Sequence, residues 1–172
     1  MSNKEKLKIV VAGNPNCGKS SLFNHLTGLR QKITNVPGTT IENKEGELII
    51  KATTIRLIDT PGTYSLKSKS KDEEEATRIF FEDSDPNLVV YVADAANLKR
   101  NLYYFAQLAQ RNLPIILVLN MVDVAQFKGV EIDVERLEKE LGVKVITLNA
   151  RTGEGIEKLK GALYKKNSHV LS

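Results

Sequence analysis

The chain has 172 residues, of which 41% are hydrophobic and 27% charged, a composition that suits one soluble globular domain with a substantial core. The net charge of +4 is spread along the sequence, and we interpret it as a solubility charge, with binding of lipid headgroups or RNA as the alternative. A single cysteine excludes an intrachain disulfide and suits a reducing cytoplasm. The apolar runs are too short for a signal peptide or a membrane span, so we expect the chain as given to be cytosolic.

Continuous apolar runs rich in valine and isoleucine predict strands that are buried on both faces, as in a parallel sheet. These runs are Lys8–Ala12, Leu88–Ala93, Ile115–Leu119 and Lys144–Leu148, and Ile41–Lys51 with Thr54–Ile58 predicts an antiparallel hairpin. Helical patterns cover Ser20–Thr27, Asp72–Asp83, Leu98–Arg111, Asp133–Leu141 and Gly155–Lys165. Gly28 and Gly142 stand where helix C-terminal glycines belong, and Asp133 is a predicted N-cap. We therefore expect an α/β fold with a doubly wound, six-stranded, mostly parallel sheet, one antiparallel strand and about five helices.

The first predicted strand leads into a loop, Gly13 to Ser20, that matches the pattern GxxxxGK[ST]. A strand that turns into a helix here directs several N–H groups at one point, where the helix dipole also favours phosphate. We expect Lys19 to reach the β- and γ-phosphates and the Ser20 hydroxyl to bind Mg²⁺. The predicted phosphate-binding residues are Asn14, Pro15, Asn16, Cys17, Gly18, Lys19, Ser20, Ser21 and Gly62.

A second motif, Asp59 to Gly62, follows the predicted strand Thr54–Ile58. Asp59 would then hold Mg²⁺, through a water, and the Gly62 N–H would contact a γ-phosphate and move when it is lost. Two segments without periodicity, Leu29–Thr40 and Thr63–Lys71, follow these phosphate-site elements, and we expect them to be mobile nucleotide switches, with ordinary surface loops as the alternative. Thr39 and Thr40 end the first segment, and we expect one of them to bind Mg²⁺ only when the γ-phosphate is present. The family resemblance described below favours Thr40.

A third motif, Asn120-Met121-Val122-Asp123, follows the strand Ile115–Leu119. A carboxylate at Asp123 accepts from both N1–H and the 2-amino group of guanine, a donor pair that adenine lacks, and this argues for GTP rather than ATP. Asn149-Ala150-Arg151 follows the last strand, where the Ala150 N–H would complete the base pocket. The predicted guanine-binding residues are Asn120, Met121, Asp123, Asn149, Ala150 and Arg151. The three motifs in this order predict a P-loop GTPase with a Ras-like three-layer fold.

Beyond these general motifs, the chain resembles the cytosolic G domain of the prokaryotic ferrous-iron transport protein B family. The resemblance runs from about Lys6 to Tyr164. Its most specific parts are the Gly-Thr-Tyr-Ser-Leu continuation at Gly62 and the Asn-Leu-Lys-Arg-Asn-Leu-Tyr helix start at Asn97. Further matches are Gly13-Asn14-Pro15-Asn16, Leu22-Phe23-Asn24 and Asn35 to Glu42.

The resemblance implies a GTPase that regulates a large membrane domain for Fe²⁺, with Mg²⁺ and an activating K⁺ as cofactors. It assigns Asn16 as the K⁺ ligand, where the bound K⁺ supplies the charge of an arginine finger, and it implies catalytic roles for Lys19, Asn16 and Thr40. Thr63 stands where Ras-like enzymes have a water-orienting glutamine, so another group must hold the catalytic water. Met121 replaces the lysine that is usual in the guanine motif, as the family pattern allows.

We accordingly expect a G domain over residues 1–166 and a polar tail over 167–172, with the helical spacer and membrane domains of a longer parent protein absent. The expected partners are GTP or GDP and the parent's membrane domain, at the cytoplasmic face of the membrane, with self-association of G domains left open and no nucleic acid expected. Two alternatives share the same motifs: a ribosome- or RNA-associated GTPase switch, and a nucleotide-binding scaffold with negligible turnover.

Overall fold

The computed structural model describes residues 6–35, 42–67, 70–71, 74, 77–78 and 85–168. Its strands are β1 (Leu7–Gly13), β2 (Gln31–Asn35), β3 (Glu42–Ile50), β4 (Thr53–Asp59), β5 (Leu88–Asp94), β6 (Ile115–Asn120) and β7 (Lys144–Thr147). Its helices are α1 (Lys19–Thr27), α2 (Leu98–Ala109), α3 (Val122–Phe127), α4 (Val134–Leu141) and α5 (Ile156–Ser168), and a short 3₁₀ turn, Ala95–Asn97, precedes α2. The strands form one sheet in the order β2-β3-β4-β1-β5-β6-β7.

The α/β class and the mostly parallel sheet are confirmed, and β3 alone runs against the other described strands. The predicted number of six strands was wrong, since the sheet has seven among the described residues. The additional strand is β2, which forms from part of the predicted mobile segment Leu29–Thr40 and runs antiparallel to β3. This strand lies at the edge of the sheet and is held by backbone pairing, so its polar sequence carries no apolar pattern to reveal it.

The helices were also predicted incompletely. The short helix α3 was missed, and α5 runs on to Ser168, into the stretch we predicted as a polar tail. Most of the helix predicted at Asp72–Asp83 lies outside the described residues. The predicted helix ends are confirmed: Gly28 and Gly142 follow α1 and α4 with φ of 59° and 67°, and the Asp133 carboxylate accepts the Arg136 N–H at 3.0 Å.

The core forms two layers, one on each face of the sheet, because successive side chains of a strand point to opposite sides. Ile9 and Val11 of β1 face one cluster, and Val10 and Ala12 face the other. Helices α1 and α5 complete the first cluster with the apolar side chains of Leu22, Phe23, Leu26, Ile156, Leu159 and Leu163. Helices α2 and α4 complete the second with those of Tyr104, Phe105, Leu108, Val134 and Leu137. Helices on both faces of a buried sheet make the predicted three-layer arrangement.

The parallel register brings several strand ends to one edge of the sheet. Val11 of β1 pairs with Asp59 of β4, Gly13 with Val92 of β5, and Asp94 with Asn120 of β6. The loops that carry the three sequence motifs therefore begin side by side at the carboxyl edge, where ligands bind in open α/β sheets.

Candidate functional site

The loop between β1 and α1 is shaped by residues in the left-handed backbone region. Asn16 has a φ of 62° and Gly18 a φ of 94°, directly before α1 begins at Lys19. A Cβ on Gly18 would come within 2.1 Å of the Asn120 Nδ2 atom, and one on Gly13 within 2.4 Å of the Val92 carbonyl oxygen. Glycine is therefore required at both positions for packing, and the backbone can turn its amides toward the start of the helix.

Lys19 and Asp59 meet at the centre of this edge. Their side chains are buried and form an ion pair between the Lys19 ammonium and the Asp59 carboxylate. Burial raises the pKa of the Asp59 carboxyl above its ordinary value, while the neighbouring Lys19 charge opposes that shift. The pair joins the first two motifs and provides a cation and a hard oxygen donor beside Ser20, whose side chain is exposed at the start of α1.

The second motif lies against the first. The Thr60 N–H and hydroxyl donate to the Val11 carbonyl at 3.1 and 2.9 Å, and the Thr63 N–H donates to the Gly13 carbonyl at 3.2 Å. A Cβ on Gly62 would lie 2.9 Å from the Pro15 Cα atom, so only glycine fits this close approach. The Gly62 backbone thus lies directly against the phosphate-loop backbone.

The third motif and the loop after β7 surround a cavity of about 350 Å³. All six predicted guanine-binding residues line it, together with Gly18, Ser21 and Val124: Asn120, Met121, Asp123, Asn149, Ala150 and Arg151. The structure therefore brings together residues from three segments that are far apart in the sequence. Among the described residues, sequence reasoning missed Val124, although it directly follows Asp123 and lies on the first turn of α3.

The buried Asn120 side chain connects this cavity to the phosphate loop. Its amide Nδ2 donates to the Cys17 carbonyl, and its Oδ1 accepts the Ala150 N–H, both at 3.0 Å. The Ala150 N–H, which we predicted would contact a base, is directed to Asn120 in this structure. Asn120 is thus a bridge between three loops rather than only a lining residue.

A second buried link was not anticipated from the sequence. The Tyr91 hydroxyl of β5 donates to the Asn101 carbonyl of α2 at 2.5 Å and lies 3.5 Å from the Asn14 Oδ1 atom of the phosphate loop. The Asn101 side chain in turn accepts the Asp94 N–H at 3.2 Å. A tyrosine inside an otherwise aliphatic strand was the available sequence signal, since a buried hydroxyl needs a partner.

Thr40 lies outside the described residues, so the structure does not describe the predicted third magnesium ligand.

Cys17 is buried in the core beside Gly13, and burial raises the pKa of its thiol to about 11, so its side chain has little nucleophilic character. Over the described ranges, no group of three or more histidine, cysteine, aspartate or glutamate side chains could hold a metal ion. None of the helices in the described part of the chain is long and apolar enough to cross a membrane.

The fold and these loops define a P-loop G domain. A family model described as ferrous iron transport protein B matches residues 7–163, and the chain belongs to that family. It is 40% identical over 166 residues to the Fe(2+) transporter FeoB of Leptospira biflexa, covering 96% of this chain and 24% of that protein. The chain therefore spans about a quarter of the length of the curated relatives it matches.

Solved structures agree with this assignment. The G domain of the FeoB iron transporter of T. maritima matches with a TM-score of 0.84 and 40% identity, covering 95% of this chain and 99% of that one. The cytosolic domain of the same transporter, in its GMPPNP form, matches with a TM-score of 0.85 and 42% identity, covering 92% of this chain and 63% of that one.

Proposed function

We propose that this chain is a Mg²⁺-dependent, GTP-binding and GTP-hydrolysing domain that regulates a ferrous-iron membrane transporter. The single observation that carries the proposal is the bridge made by Asn120, which joins a cavity of about 350 Å³ to the phosphate loop. One ligand with a base at one end and phosphates at the other matches this arrangement. The likeness to a domain solved in a GMPPNP form, a non-hydrolysable GTP analogue, supports the same reading.

Guanine selectivity is assigned to Asp123, which lines the cavity at the start of α3. Its carboxylate would accept from the N1–H and 2-amino groups of guanine. The Asp123→Asn variant presents an amide that can donate to the 2-carbonyl of xanthine instead. We expect GTP affinity to fall and XTP affinity to rise, measured by calorimetry. The matched control is Asp133→Asn, at the N-cap of α4 and outside the cavity lining. Undiminished preference for GTP in Asp123→Asn would refute the base assignment.

The phosphate chemistry is assigned to Lys19, Ser20 and Asp59. The Lys19 ammonium would leave Asp59 to contact the β- and γ-phosphates, and the Gly62 N–H would contact the γ-phosphate. The Ser20 hydroxyl and the Asp59 carboxylate are hard oxygen donors that fit Mg²⁺, with Thr40 proposed as a third ligand. When bound there, the ion neutralises charge that develops on the phosphate oxygens. Lys19→Ala should abolish GTP hydrolysis, and wild-type rates in that variant would refute the assignment.

Activation by K⁺ is assigned to Asn16. Its side chain is exposed in the left-handed turn of the phosphate loop, and an amide oxygen is a suitable ligand for a hard cation. GTP hydrolysis should be slow, about 10⁻³ to 10⁻² s⁻¹ unassisted, and faster in K⁺ than in Na⁺. The stimulation should be lost in Asn16→Ala. Equal rates in both salts for the wild type would remove Asn16 from the mechanism.

We further propose that the domain, which includes α5 to its end at Ser168, acts at the cytoplasmic face of the membrane, on the membrane domain of a longer parent chain. The relatives are named as Fe(2+) transporters, and this chain covers 24% of the Leptospira protein. Family membership argues against the RNA-associated alternative, and measurable turnover in the hydrolysis assay would exclude the scaffold alternative. Fe²⁺ transport by the full-length parent, lost on Lys19→Ala, is the test of the regulatory role.

A further inference from the structure

The residues that follow the Asp59–Gly62 motif are hydrogen-bonded to helix α2 through the side chain of Gln107. We call Thr63–Lys67 the latch segment. The Oε1 atom of Gln107 accepts two hydrogen bonds from it, from the Leu66 N–H at 2.6 Å and from the Ser65 hydroxyl at 3.0 Å. The Ser65 hydroxyl oxygen also accepts the Lys67 N–H at 3.0 Å, so one amide of α2 fixes three consecutive residues.

The latch segment is packed as well as hydrogen-bonded. Thr63 and Ser65 are buried, and the Thr63 hydroxyl donates to the Ser65 carbonyl at 3.1 Å. Leu66 packs against the core cluster that α2 shares with the sheet. The guanidinium of Arg100 lies 4.4 Å from the ring centre of Tyr64. Arg100 and Gln107 are seven residues apart, two helical turns, so α2 holds the segment at two points along one face.

The other end of the segment is tied to the phosphate loop. The Thr63 N–H donates to the Gly13 carbonyl, and Gly62 lies against Pro15. A displacement of Gly62 toward a γ-phosphate would therefore pull on Ser65 and Leu66, which follow within four residues. Since these residues are bonded to Gln107, either the hydrogen bonds to α2 break or α2 moves with them.

The latched conformation coexists with the ion pair between Lys19 and Asp59. Under the proposed function, on which this inference rests, a bound triphosphate draws Lys19 to the phosphates and the Gly62 N–H to the γ-phosphate. We infer that Gln107 is a positioning residue that stabilises the latched conformation and thereby lowers the affinity for the triphosphate relative to the diphosphate. A ligand shifts such an equilibrium only by its difference in affinity for the two states. The hydrogen bonds to Gln107 add to the free energy that the triphosphate must supply to reach the other state.

The test compares two substitutions of similar length. Gln107→Met removes the accepting oxygen. Gln107→Glu keeps a side-chain oxygen that can accept the hydrogen bonds from the Leu66 N–H and the Ser65 hydroxyl. Calorimetry gives the dissociation constants of each variant for GDP and GMPPNP. Because two hydrogen bonds are lost, we expect Gln107→Met to raise the affinity for GMPPNP relative to GDP by roughly 5- to 30-fold, and Gln107→Glu to stay within about twofold of the wild type.

A second variant tests the same contact from the segment. Ser65→Ala removes one of the two donors, so its shift should be smaller and in the same direction. Combined with Gln107→Met it should add little further change, because both substitutions remove the same hydrogen bond. Full additivity of the two shifts would overturn the inference.

Hydrogen exchange provides a readout that needs no nucleotide. The Leu66 amide should exchange faster in Gln107→Met than in the wild type, and at the wild-type rate in Gln107→Glu. Unchanged exchange in Gln107→Met, or an unchanged ratio of the two affinities, would overturn the role of Gln107 while leaving nucleotide binding intact. A wild-type chain without affinity for either nucleotide would instead refute the proposed function and this inference with it.

Discussion

Replacing Asn120 by alanine tests the bridge that joins the base cavity to the phosphate loop. The substitution leaves the Cys17 carbonyl and the Ala150 N–H without their side-chain partner, and Asn120 is only 4% exposed. Each buried backbone group that loses its partner costs about 1–3 kcal/mol, and water can enter part of the space that the amide leaves. We therefore expect Asn120→Ala to lower the free energy of unfolding by about 3 kcal/mol.

For a domain of this size, that loss corresponds to a decrease in the melting temperature of roughly 6–12 °C. The measurement is urea and thermal unfolding of wild type and variant, followed by circular dichroism. Asn149→Ala is the matched control, since Asn149 also accepts two backbone N–H groups, from Arg151 and Thr152 at 3.0 and 3.1 Å, but these groups are exposed. We expect that control to lose about 1 kcal/mol or less.

Loss of the Asn120 bridge should also weaken ligand binding. Without Asn120, the loops of Cys17 and Ala150 lose their common partner, so affinity for GTP should fall together with stability. Equal losses of stability in Asn120→Ala and Asn149→Ala, or a loss below about 0.5 kcal/mol for Asn120→Ala, would refute the reasoning, because burial is what separates the two sites.

Two further predictions concern ionisable groups. The Val145 N–H, which donates to the Glu138 carboxylate at 2.9 Å, and the neighbouring Lys144 hold the pKa of Glu138 below its ordinary value of 4.5. The contribution of Glu138 to stability is therefore present above pH 4.5 and is lost as the pH falls through its folded-state pKa. The stability difference between the wild type and Glu138→Gln should therefore shrink on acidification, and a difference that is constant from pH 3 to pH 7 would contradict the ionic cause. The buried Cys17 thiol, with its pKa near 11, should react with iodoacetamide far more slowly in the folded chain than in urea at the same pH, and similar rates would mean that the loop opens readily.

Local patterns were enough to predict much of the framework. The strands β1, β5 and β6 are buried on both faces, so their continuous apolar runs predict them even when the neighbouring strands are unknown. The glycines after α1 and α4 and the aspartate before α4 have roles set by backbone geometry within a few residues. The positions of the three motifs followed from the strands, because parallel strands end at the same edge of the sheet.

Two elements, β2 and α3, were not predicted because their sequences carry no strong local signal. β2 is a polar edge strand whose stability comes from backbone pairing with β3, and that pairing depends on the chain returning at Glu42. Helix α3 has only six residues, too few for an apolar period to be distinguished from the motif within it.

The sequence by itself determined which functional groups the three motifs carry and after which strand each motif follows along the chain. Only the tertiary structure decided how they are connected: Asn120 contacts residues 103 and 30 positions away, and Gln107 contacts residues 42 and 41 positions away. Such pairings have no period and no local propensity, because they exist only after the sheet order has placed distant loops together. The same burial that makes these contacts depend on the fold makes each of them costly to remove.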